Sequence, residues 1–526
     1  MPNPLYKQNG INNIGVRNAL ILILILLVLG SPTLAYPFGR DQAEYAWVAV
    51  SAMRGRLSYS DVFNVKPPLT HLTHQTALLL FGCNMLSIRI LDLLWQGWTA
   101  WLIYRIALKL EQPHHAGILA AVLYLFSYYR MDFWMTAQTD GFLSLPLAAG
   151  VFFFLQAHHS KQRWLSIASG AALGLAVLYK YPIGILIIFL ALLELLWSRK
   201  DGWLPVFWMG VGFLLPVIIA VFGMAARGNL TDFLWIQSIF IPRYSMISTQ
   251  NVGVWAALGL GLLHVILPVS PGWASLLGLY GFLGKADAAR FRARMVILLW
   301  WVSALIHFLA QGKNYDYHLL PIYAPLALML GESFTGFIRS RSAPRFAFGA
   351  LGALLMAIPF LGEDFPQKYT RLWDVAAGNT FLHAVYGDAE FDRDGVDRDF
   401  SSRANLEAAA YFSTHADQDE SIFIWGFEPG VYFLSQRQNA TRFIYNFPLY
   451  GPNADPVLRA EFVRDLRQQR PVYIAIVRND GMFQVTASQE DSWEAFNSFA
   501  EFRQFVFENY ALETTIEDFE IYRLNE

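Results

Sequence analysis

Long runs of apolar residues fill the chain from about Ala19 to Leu361, and short polar segments separate them. A helix needs about 20 apolar residues to cross the hydrocarbon core of a bilayer. About eleven runs approach this length, so the pattern predicts a polytopic α-helical membrane protein. The predicted spans are roughly residues 18–35, 86–108, 115–130, 140–157, 164–179, 182–198, 203–225, 254–284, 295–311, 319–337 and 346–362.

The pattern changes after Glu363, where an acidic run (residues 387–399) is followed by mixed polar and apolar sequence. Within this tail, the runs 421–427 and 471–480 are apolar, bounded by turn residues, and typical of buried strands. The segments 404–415 and 456–469 have helical spacing. We therefore predict a membrane domain over residues 1–362, with a first outer loop at about 36–85, and a C-terminal soluble α/β domain over 363–526.

The positions of Lys and Arg predict how the chain is oriented in the membrane. Cytoplasmic loops carry an excess of these residues, and placing the N-terminus in the cytoplasm puts every short basic cluster on that side. The tail then lies outside. The clusters are Lys7 and Arg17; Arg105 and Lys109; Lys161 and Arg163; Arg199 and Lys200; Lys285, Arg290, Arg292 and Arg294; and Arg339, Arg341 and Arg345.

Three segments allow a second interpretation. Residues 71–82 are apolar but too short to span, which favours a helix lying in the membrane interface. Residues 254–284 contain Pro268 and Pro271 and predict either one kinked span or a span with a re-entrant piece. The first span resembles a signal peptide, with Thr33-Leu34-Ala35 before Tyr36, and we interpret it as an uncleaved signal anchor.

Composition excludes several other classes of protein. Of the 526 residues, 55% are apolar and only 15% are charged, too few charges to cover a soluble chain of this length. The net charge of −2 gives no basic field for binding nucleic acid. The single cysteine, Cys83, excludes a disulfide framework, a thiolate metal cluster and a redox pair.

Charged and polar residues collect at the predicted outer ends of the spans. Asp41 and Glu44 lie three apart at the start of an amphipathic helix and so share one face. Four cations, listed first below, lie on the side that Lys and Arg normally avoid, which indicates a bound anion such as a lipid phosphate. The outer set comprises Lys66, Lys180, Arg243 and Lys313, with Arg130, Asp132, Asp140, Tyr244, Asp316, Tyr317 and His318.

Each of these residues has an ordinary structural interpretation as well. Charged side chains at span ends commonly extend to lipid headgroups, and Asp132 has Arg130 as a nearby partner. Glu44 is also a favourable carboxylate for a helix N-terminus. His71 and His74 are interpreted as interfacial polar groups. The whole constellation on one membrane face is harder to explain in this way than any single member.

The order of the motifs resembles a known family. Asp41 precedes Tyr45-Ala46, KPPL follows at residues 66–69, a Thr-Asp pair starts a span at 139–140, YKYP occupies 179–182, and YHLLP begins at Tyr317. This series is similar to the GT-C membrane glycosyltransferases, and most similar to the branch of protein O-mannosyltransferases and aminoarabinose transferases. The likeness covers roughly residues 15–335. The segment 422–443 also resembles the periplasmic α/β domain of some bacterial members.

The resemblance implies a multi-pass protein of the bacterial inner membrane that transfers a sugar from a polyprenyl-phosphate donor to a hydroxyl of a periplasmic acceptor. It implies inversion at the sugar carbon, with Asp41 as the catalytic base and Glu44 in support. The second acidic residue falls best on Asp140, with Asp132 as the alternative. Lys66, Lys180 and Arg243 are the expected cations for the donor phosphate, with Tyr45, Tyr244, Tyr317 and His318 in the cavity wall. Gln42 and Ala43 replace a direct acidic pair, so no metal and no other cofactor is predicted to be required.

Two other functions fit part of the pattern. A transporter or flippase of polyprenyl-linked sugars would show inverted repeats and ionisable groups at midspan, whereas here these groups lie at span ends. An oligosaccharide polymerase or ligase would share the membrane face but would use a diphosphate-linked donor. The sequence leaves the sugar and the acceptor open.

Overall fold

The computed structural model describes residues 4–198, 202–250, 253–266, 272–282, 287–340, 343–357, 365–377 and 400–525. The basic residues Arg199, Lys200, Lys285 and Arg341, the predicted domain boundary at 362 and the acidic run 387–399 lie outside these ranges. The first part of the chain is helical. Its helices are α1 (Pro4–Gly30), α2 (Arg40–Met53), α3 (Pro68–Phe81), α4 (Met85–Lys109), α5 (His114–Tyr129), α6 (Thr139–Ser160), α7 (Arg163–Val177), α8 (Ile185–Ser198) and α9 (Trp203–Arg227).

The helices continue through the remainder of the membrane part. They are α10 (Leu230–Trp235), α11 (Ile241–Gln250), α12 (Val254–Ile266), α13 (Ala274–Phe282), α14 (Ala288–Gln311), α15 (Leu320–Ser340), α16 (Ala343–Ala357) and α17 (Phe365–Ala376). A short 3-10 turn, Asp316–Leu319, leads into α15. The predicted segment 254–284 therefore contains two helices, α12 and α13.

Within the described ranges, five helical segments are long and apolar enough to cross a membrane, and a bent pair raises the number to six. The five are Ile14–Ala35, Thr139–Ser160, Tyr181–Ser198, Trp203–Arg227 and Ala288–Gln311. The bent pair is α3 with α4, which meet at 107°. The chain is thus a helical membrane protein, and the count of about eleven spans stays a prediction.

The bend between α3 and α4 has a local cause. Gly82 ends α3 with φ of +94°, a backbone conformation that a residue with a Cβ rarely adopts. Asn84 then caps α4 by accepting a hydrogen bond from the backbone N–H of Ser87 at 3.1 Å. Residues 71–82, predicted to be too short to span, accordingly form a separate helix.

Close helix packing in the membrane part depends on small residues. A Cβ on Gly170 of α7 would lie 1.9 Å from the carbonyl oxygen of Met209, and one on Gly212 of α9 would lie 2.0 Å from that of Ile167. Neither distance is sterically possible, so the backbones of α7 and α9 approach as closely as they do because both positions are glycine.

Residues 400–525 contain a five-stranded sheet with helices packed against it. The strands are β1 (Ser421–Trp425), β2 (Gln438–Asn439), β3 (Tyr473–Val477), β4 (Tyr510–Ile516) and β5 (Phe519–Leu524), in the order β2-β1-β3-β5-β4. The pairs of β1 with β2 and β3 are parallel, and those of β5 with β3 and β4 antiparallel. The helices are α18 (Ser402–His415), α19 (Gly430–Ser435), α20 (Pro456–Gln469), α21 (Phe483–Thr486), α22 (Ser492–Ser498) and α23 (Ala500–Asn509).

The sequence anticipated both central strands of this sheet. The predicted strands 421–427 and 471–480 correspond to β1 and β3, and the two predicted helical segments correspond to α18 and α20. Their buried side chains meet in an aromatic core, where Trp425 lies 4.9 Å from Phe502 and 5.5 Å from Phe462 between ring centroids. The carboxyl end of β1 leads into residues 426–430, which face the membrane part.

Candidate active site

A cavity of about 720 Å³ lies between one end of the membrane helices and residues 400–525. Its wall combines carboxylates, cations and aromatic rings from both parts of the chain. A cavity of this size accommodates a small-molecule substrate. Residues that line it include Tyr36, Arg40, Asp41, Glu44, Lys66, Asp132, Trp134, Gln138, Tyr244, Tyr317, Lys368, Phe427, Tyr445 and Phe447.

Asp41 and Lys66 are neighbours on the wall of this cavity. Asp41 lies in the first turn of α2, and its Oδ2 is 3.6 Å from Lys66 Nζ. The side chain of Asp41 is 33% exposed, so it is accessible from the cavity. Tyr317 places its hydroxyl 3.5 Å from the same carboxylate oxygen. Lys66 is fixed because its carbonyl accepts a hydrogen bond from Tyr59 at 3.0 Å and because Pro67 extends the backbone before α3.

A second, largely buried group adjoins this pair. Asp140 begins α6, and its carboxylate lies 3.4 Å from Lys180 Nζ and 2.9 Å from His307 Nε2. Gln311, one turn after His307, bridges the group: it accepts from Lys180 at 2.5 Å and its amide lies 3.3 Å from Asp140. Asp140 is therefore held by three partners from two other segments.

The electrostatics connect the two groups. Burial lowers the pKa of Lys180; the charge of Asp140 opposes this effect, while that of Lys66 adds to it. Burial likewise lowers the pKa of His318 well below its usual value, so this ring is neutral. The charges of Lys66 and Lys180 thus act on one another and on His318.

Glu44 lines the same cavity but is more deeply buried than Asp41. Burial raises the pKa of Glu44 to about 8, although Lys66 opposes the effect. Tyr445, from the C-terminal part, donates its hydroxyl to Glu44 Oε1 at 3.2 Å. Tyr45 follows on α2 and lies beneath Lys66, whose ammonium is 5.3 Å from its ring centroid. Asp41 and Glu44 thus both face the cavity from α2, as predicted. The raised pKa favours the neutral form of Glu44, and Asp41 is the more accessible of the two carboxyl groups.

Arg243 lies apart from the other predicted phosphate-binding cations. Its side chain on α11 is 51% exposed and pairs with Asp455 at 3.2 Å. The next residue, Tyr244, does line the cavity, and Lys313 lies 4.1 Å from the centroid of its ring. Lys313 also donates to the carbonyl of Gln484 at 3.0 Å.

Two of the ordinary interpretations are wrong in detail. Asp132 does not pair with Arg130: it accepts from the backbone N–H groups of Trp134 and Met135, whereas Arg130 donates to the Tyr323 hydroxyl at 2.7 Å. His71 and His74 do not lie at an exposed interface. Both are buried, and their rings lie 6.2 and 5.2 Å from that of Tyr45.

Gln42, where the family motif was expected to carry an acid, has a structural role. Its buried side chain accepts from the N–H of Gly39 at 3.0 Å and donates to the carbonyls of Phe133, Trp134 and Thr136. It thereby joins the start of α2 to the loop before α6. Among the described residues, no group of three His, Cys, Asp or Glu side chains is arranged to hold a metal. The absence of a metal requirement stays a prediction.

Sequence reasoning missed several residues of the site. His307 and Gln311 are four apart on an otherwise apolar span, and this spacing places them on one helix face. A polar pair in such a span is a signal for function that could have been used. Tyr445 and Phe447 reach the cavity only through the folding of the C-terminal part, and no local pattern marks them.

The sequence of this chain is similar to those of known transferases. Residues 65–225 match the family model described as dolichyl-phosphate-mannose-protein mannosyltransferase. An undecaprenyl phosphate-alpha-4-amino-4-deoxy-L-arabinose arabinosyl transferase of Pectobacterium carotovorum is 24% identical over 381 residues, 68% of this chain and 67% of that one. A protein of the same name from Erwinia tasmaniensis is 27% identical, over 53% of this chain and 52% of its own. The matches thus span about half to two thirds of these relatives.

Solved structures resemble nearly the whole chain. The crystal structure of ArnT from Cupriavidus metallidurans bound to undecaprenyl phosphate has a TM-score of 0.59 at 13% identity, covering 97% of this chain and 98% of that one. Its apo state has a TM-score of 0.55 at 12% identity, covering 98% of both chains. At these identities the likeness shows the fold alone.

Proposed function

We propose that this chain, a GT-C-type membrane glycosyltransferase similar to the aminoarabinose transferases, moves a sugar from a polyprenyl-phosphate donor to an acceptor hydroxyl with inversion. The observation that carries the proposal is the pairing of an accessible carboxylate, Asp41, with Lys66 at the cavity wall. A second cation, Lys180, pairs with the buried carboxylate of Asp140. This transfer requires a base for the acceptor hydroxyl and a charge-stabilising group for the leaving phosphate. The acceptor is a lipid, a glycan or a protein on the periplasmic side.

The cations serve the leaving group. As the bond from the sugar carbon to the phosphate oxygen breaks, the polyprenyl phosphate takes the electron pair and gains one negative charge. Lys66 and Lys180 are the proposed partners of that phosphate, since their ammonium groups lie beside the Asp41 and Asp140 carboxylates. Preplaced charges of this kind act most strongly in a site shielded from water. Asp140 keeps Lys180 in place without exposing its own charge to solvent.

Asp41 serves the nucleophile. The acceptor oxygen attacks the sugar carbon from the face opposite the phosphate, and its proton passes to the Asp41 carboxylate. A base must come within hydrogen-bond distance of the proton it takes, and the partly exposed position of Asp41 on the cavity wall meets this requirement. One displacement, without a covalent intermediate on the enzyme, inverts the configuration at the sugar carbon.

The proposal includes orientation in the membrane. We place the site and residues 363–526 in the periplasm and the N-terminus in the cytoplasm of a bacterial inner membrane, as the basic clusters indicate. We further propose that no metal is needed, since two ammonium groups occupy the place where a metal would otherwise neutralise the phosphate.

The test is a donor panel with the full-length protein in lipid nanodiscs. Undecaprenyl-phosphate sugars are added one at a time with a crude periplasmic acceptor fraction, and released undecaprenyl phosphate is measured by mass spectrometry. The wild-type protein releases it from at least one donor, while Asp41→Asn does not. Asp61→Asn, in the same predicted outer loop, is the matched control and retains activity, because the Asp61 carboxylate accepts from the Leu57 N–H and Asp61 is not among the residues that line the cavity. Release of undecaprenyl diphosphate from oligosaccharide donors, or of nothing, contradicts the proposal.

A further inference from the structure

Helix α2 carries Asp41 in its first turn, and a neighbouring face of the same helix lies against the C-terminal part. Arg40, Glu44 and Trp47 are spaced four and three residues apart and therefore line up along that face. Each of the three makes a polar contact with a residue between 428 and 445. This row, named here the clamp face, is buried along its whole length.

The strongest contact of the clamp face is an ion pair at its start. Arg40 Nε and Nη2 both lie 2.8 Å from Glu428 Oε1, and the two side chains are 7% and 4% exposed. Asn405 donates to the other carboxylate oxygen of Glu428 at 2.8 Å. Arg40 and Asp41 are adjacent in the chain. The ion pair therefore fixes the backbone next to the proposed base.

The other two contacts hold the rest of the helix. Trp47 donates its indole N–H to Asn439 Oδ1 at 3.0 Å, and its ring stacks on that of Tyr432 at 5.8 Å. Glu44 accepts from Tyr445, as described above. The contacts come from the loop after β1, from α19, from β2 and from the segment that follows β2. Four segments of the C-terminal part thus contact α2.

Polar pairs of this kind specify position more than they add stability. A buried ion pair loses much of its attraction to the desolvation of both charges, but removal of one partner leaves an uncompensated buried charge. Apolar packing alone would tolerate a small rotation of α2 about its axis. Three directional contacts do not, because each fixes a different point along the helix.

We propose that the C-terminal part is a positioning element of the active site, and that Glu428 is its principal positioning residue. By holding Arg40, Glu428 sets the rotation of α2 so that Asp41 lies on the cavity wall beside Lys66. The inference rests on the proposed function only for the role of Asp41 as base; the placement of α2 is a separate and separately measurable claim.

The experiment compares wild-type full-length protein with Glu428→Ala and Glu428→Gln in lipid nanodiscs. With an undecaprenyl-phosphate sugar that the wild type uses, we expect kcat of Glu428→Ala to fall at least tenfold while KM for the donor stays within about twofold, since misplacement of the base affects chemistry and not donor binding. Glu428→Gln keeps an oxygen for Arg40 and recovers part of kcat. Hydrogen–deuterium exchange shows faster exchange of the α2 amides in Glu428→Ala, with those of α6 unchanged.

The matched control is Glu407→Ala, which removes an exposed ion pair with Arg403 in the same part of the chain and leaves both kcat and exchange unchanged. If Glu428→Ala does not fold, Trp47→Phe takes its place, because it removes only the indole donor to Asn439. Unchanged kcat and unchanged α2 exchange in the folded variant overturn the inference. If the wild type transfers no sugar, the proposed function fails, and the exchange measurement still decides whether Glu428 positions α2.

Discussion

Lys66 Nζ lies 3.6 Å from Asp41 Oδ2 at the wall of the cavity, so a proposed phosphate-binding cation and the proposed base are neighbours. An inverting displacement places the leaving group and the nucleophile on opposite faces of one sugar carbon, so this ion pair has to separate when the donor binds. With donor bound, Lys66 can turn from Asp41 to the phosphate. This exchange of partners would release the carboxylate to accept the acceptor's proton.

The cations are expected to differ in their effects on donor binding. Lys66→Ala and Lys180→Ala each remove a charged hydrogen bond and should weaken binding of undecaprenyl phosphate by about 1.5–3 kcal/mol. Arg243→Ala should have a much smaller effect, because Arg243 is half exposed and already pairs with Asp455. Titration calorimetry in nanodiscs measures all three. Equal losses, or none, would show that the grouping of Lys66 with Lys180 is incorrect.

His307 is expected to act through Asp140. His307→Ala removes the group 2.9 Å from Asp140, which leaves the carboxylate free to draw Lys180 away from the donor. We expect weaker binding of undecaprenyl phosphate, by about tenfold, in line with the loss of one buried hydrogen bond to a charged group. His307→Gln retains a donor and should recover part of the affinity. Wild-type affinity in His307→Ala would contradict this role.

Glu44 gives a prediction about pH. Its pKa is raised from 4.5 to about 8 in the folded protein, so the folded state holds this proton more tightly than the unfolded state does. The stabilising contribution is full below about pH 4.5 and is lost as the pH rises towards 8. Glu44→Gln cannot ionise and lacks this dependence. The melting temperature in detergent should fall more between pH 5 and pH 8 for the wild type than for Glu44→Gln. An equal fall in both proteins would argue against a protonated Glu44.

The orientation is tested by fusions to alkaline phosphatase, which is active only outside the cytoplasm. A fusion after Glu526 should be active and one at Lys285 inactive, because basic loops stay inside. The reverse pattern would place the cavity on the cytoplasmic side and would contradict the proposed site.

The predicted resemblance to the GT-C glycosyltransferases is confirmed. Part of the candidate site could also be predicted from the positions of charged residues next to apolar runs. Asp41, Lys66, Asp140 and Lys180 could be grouped in advance because each follows or precedes an apolar run, and topology then assigns them to one membrane face. Arg243 also lies on the predicted outer face, but it donates a hydrogen bond to Asp455, more than two hundred residues away in the chain. The membrane face on which a residue lies does not determine which residue its side chain contacts.

The contribution of the C-terminal part was beyond local reasoning. Glu428 and Tyr445 follow a predicted strand, yet their partners Arg40 and Glu44 lie in the first outer loop. Such contacts depend on how two distant segments pack, and neither hydrophobic period nor turn chemistry encodes that packing. Gln42 is similar: read as a departure from an acidic motif, it proves to be the residue that ties α2 to the loop before α6.

The central claim is that Asp41 takes the proton, and transfer by Asp41→Asn tests it most directly. Asparagine keeps the size of the side chain and still suits the first turn of a helix, but it cannot act as a base. We predict that transfer falls by about 10²–10⁴-fold while binding of undecaprenyl phosphate and membrane insertion stay near wild type. Transfer within a few-fold of wild type would contradict the assignment and would show Asp41 to be only a helix-start carboxylate.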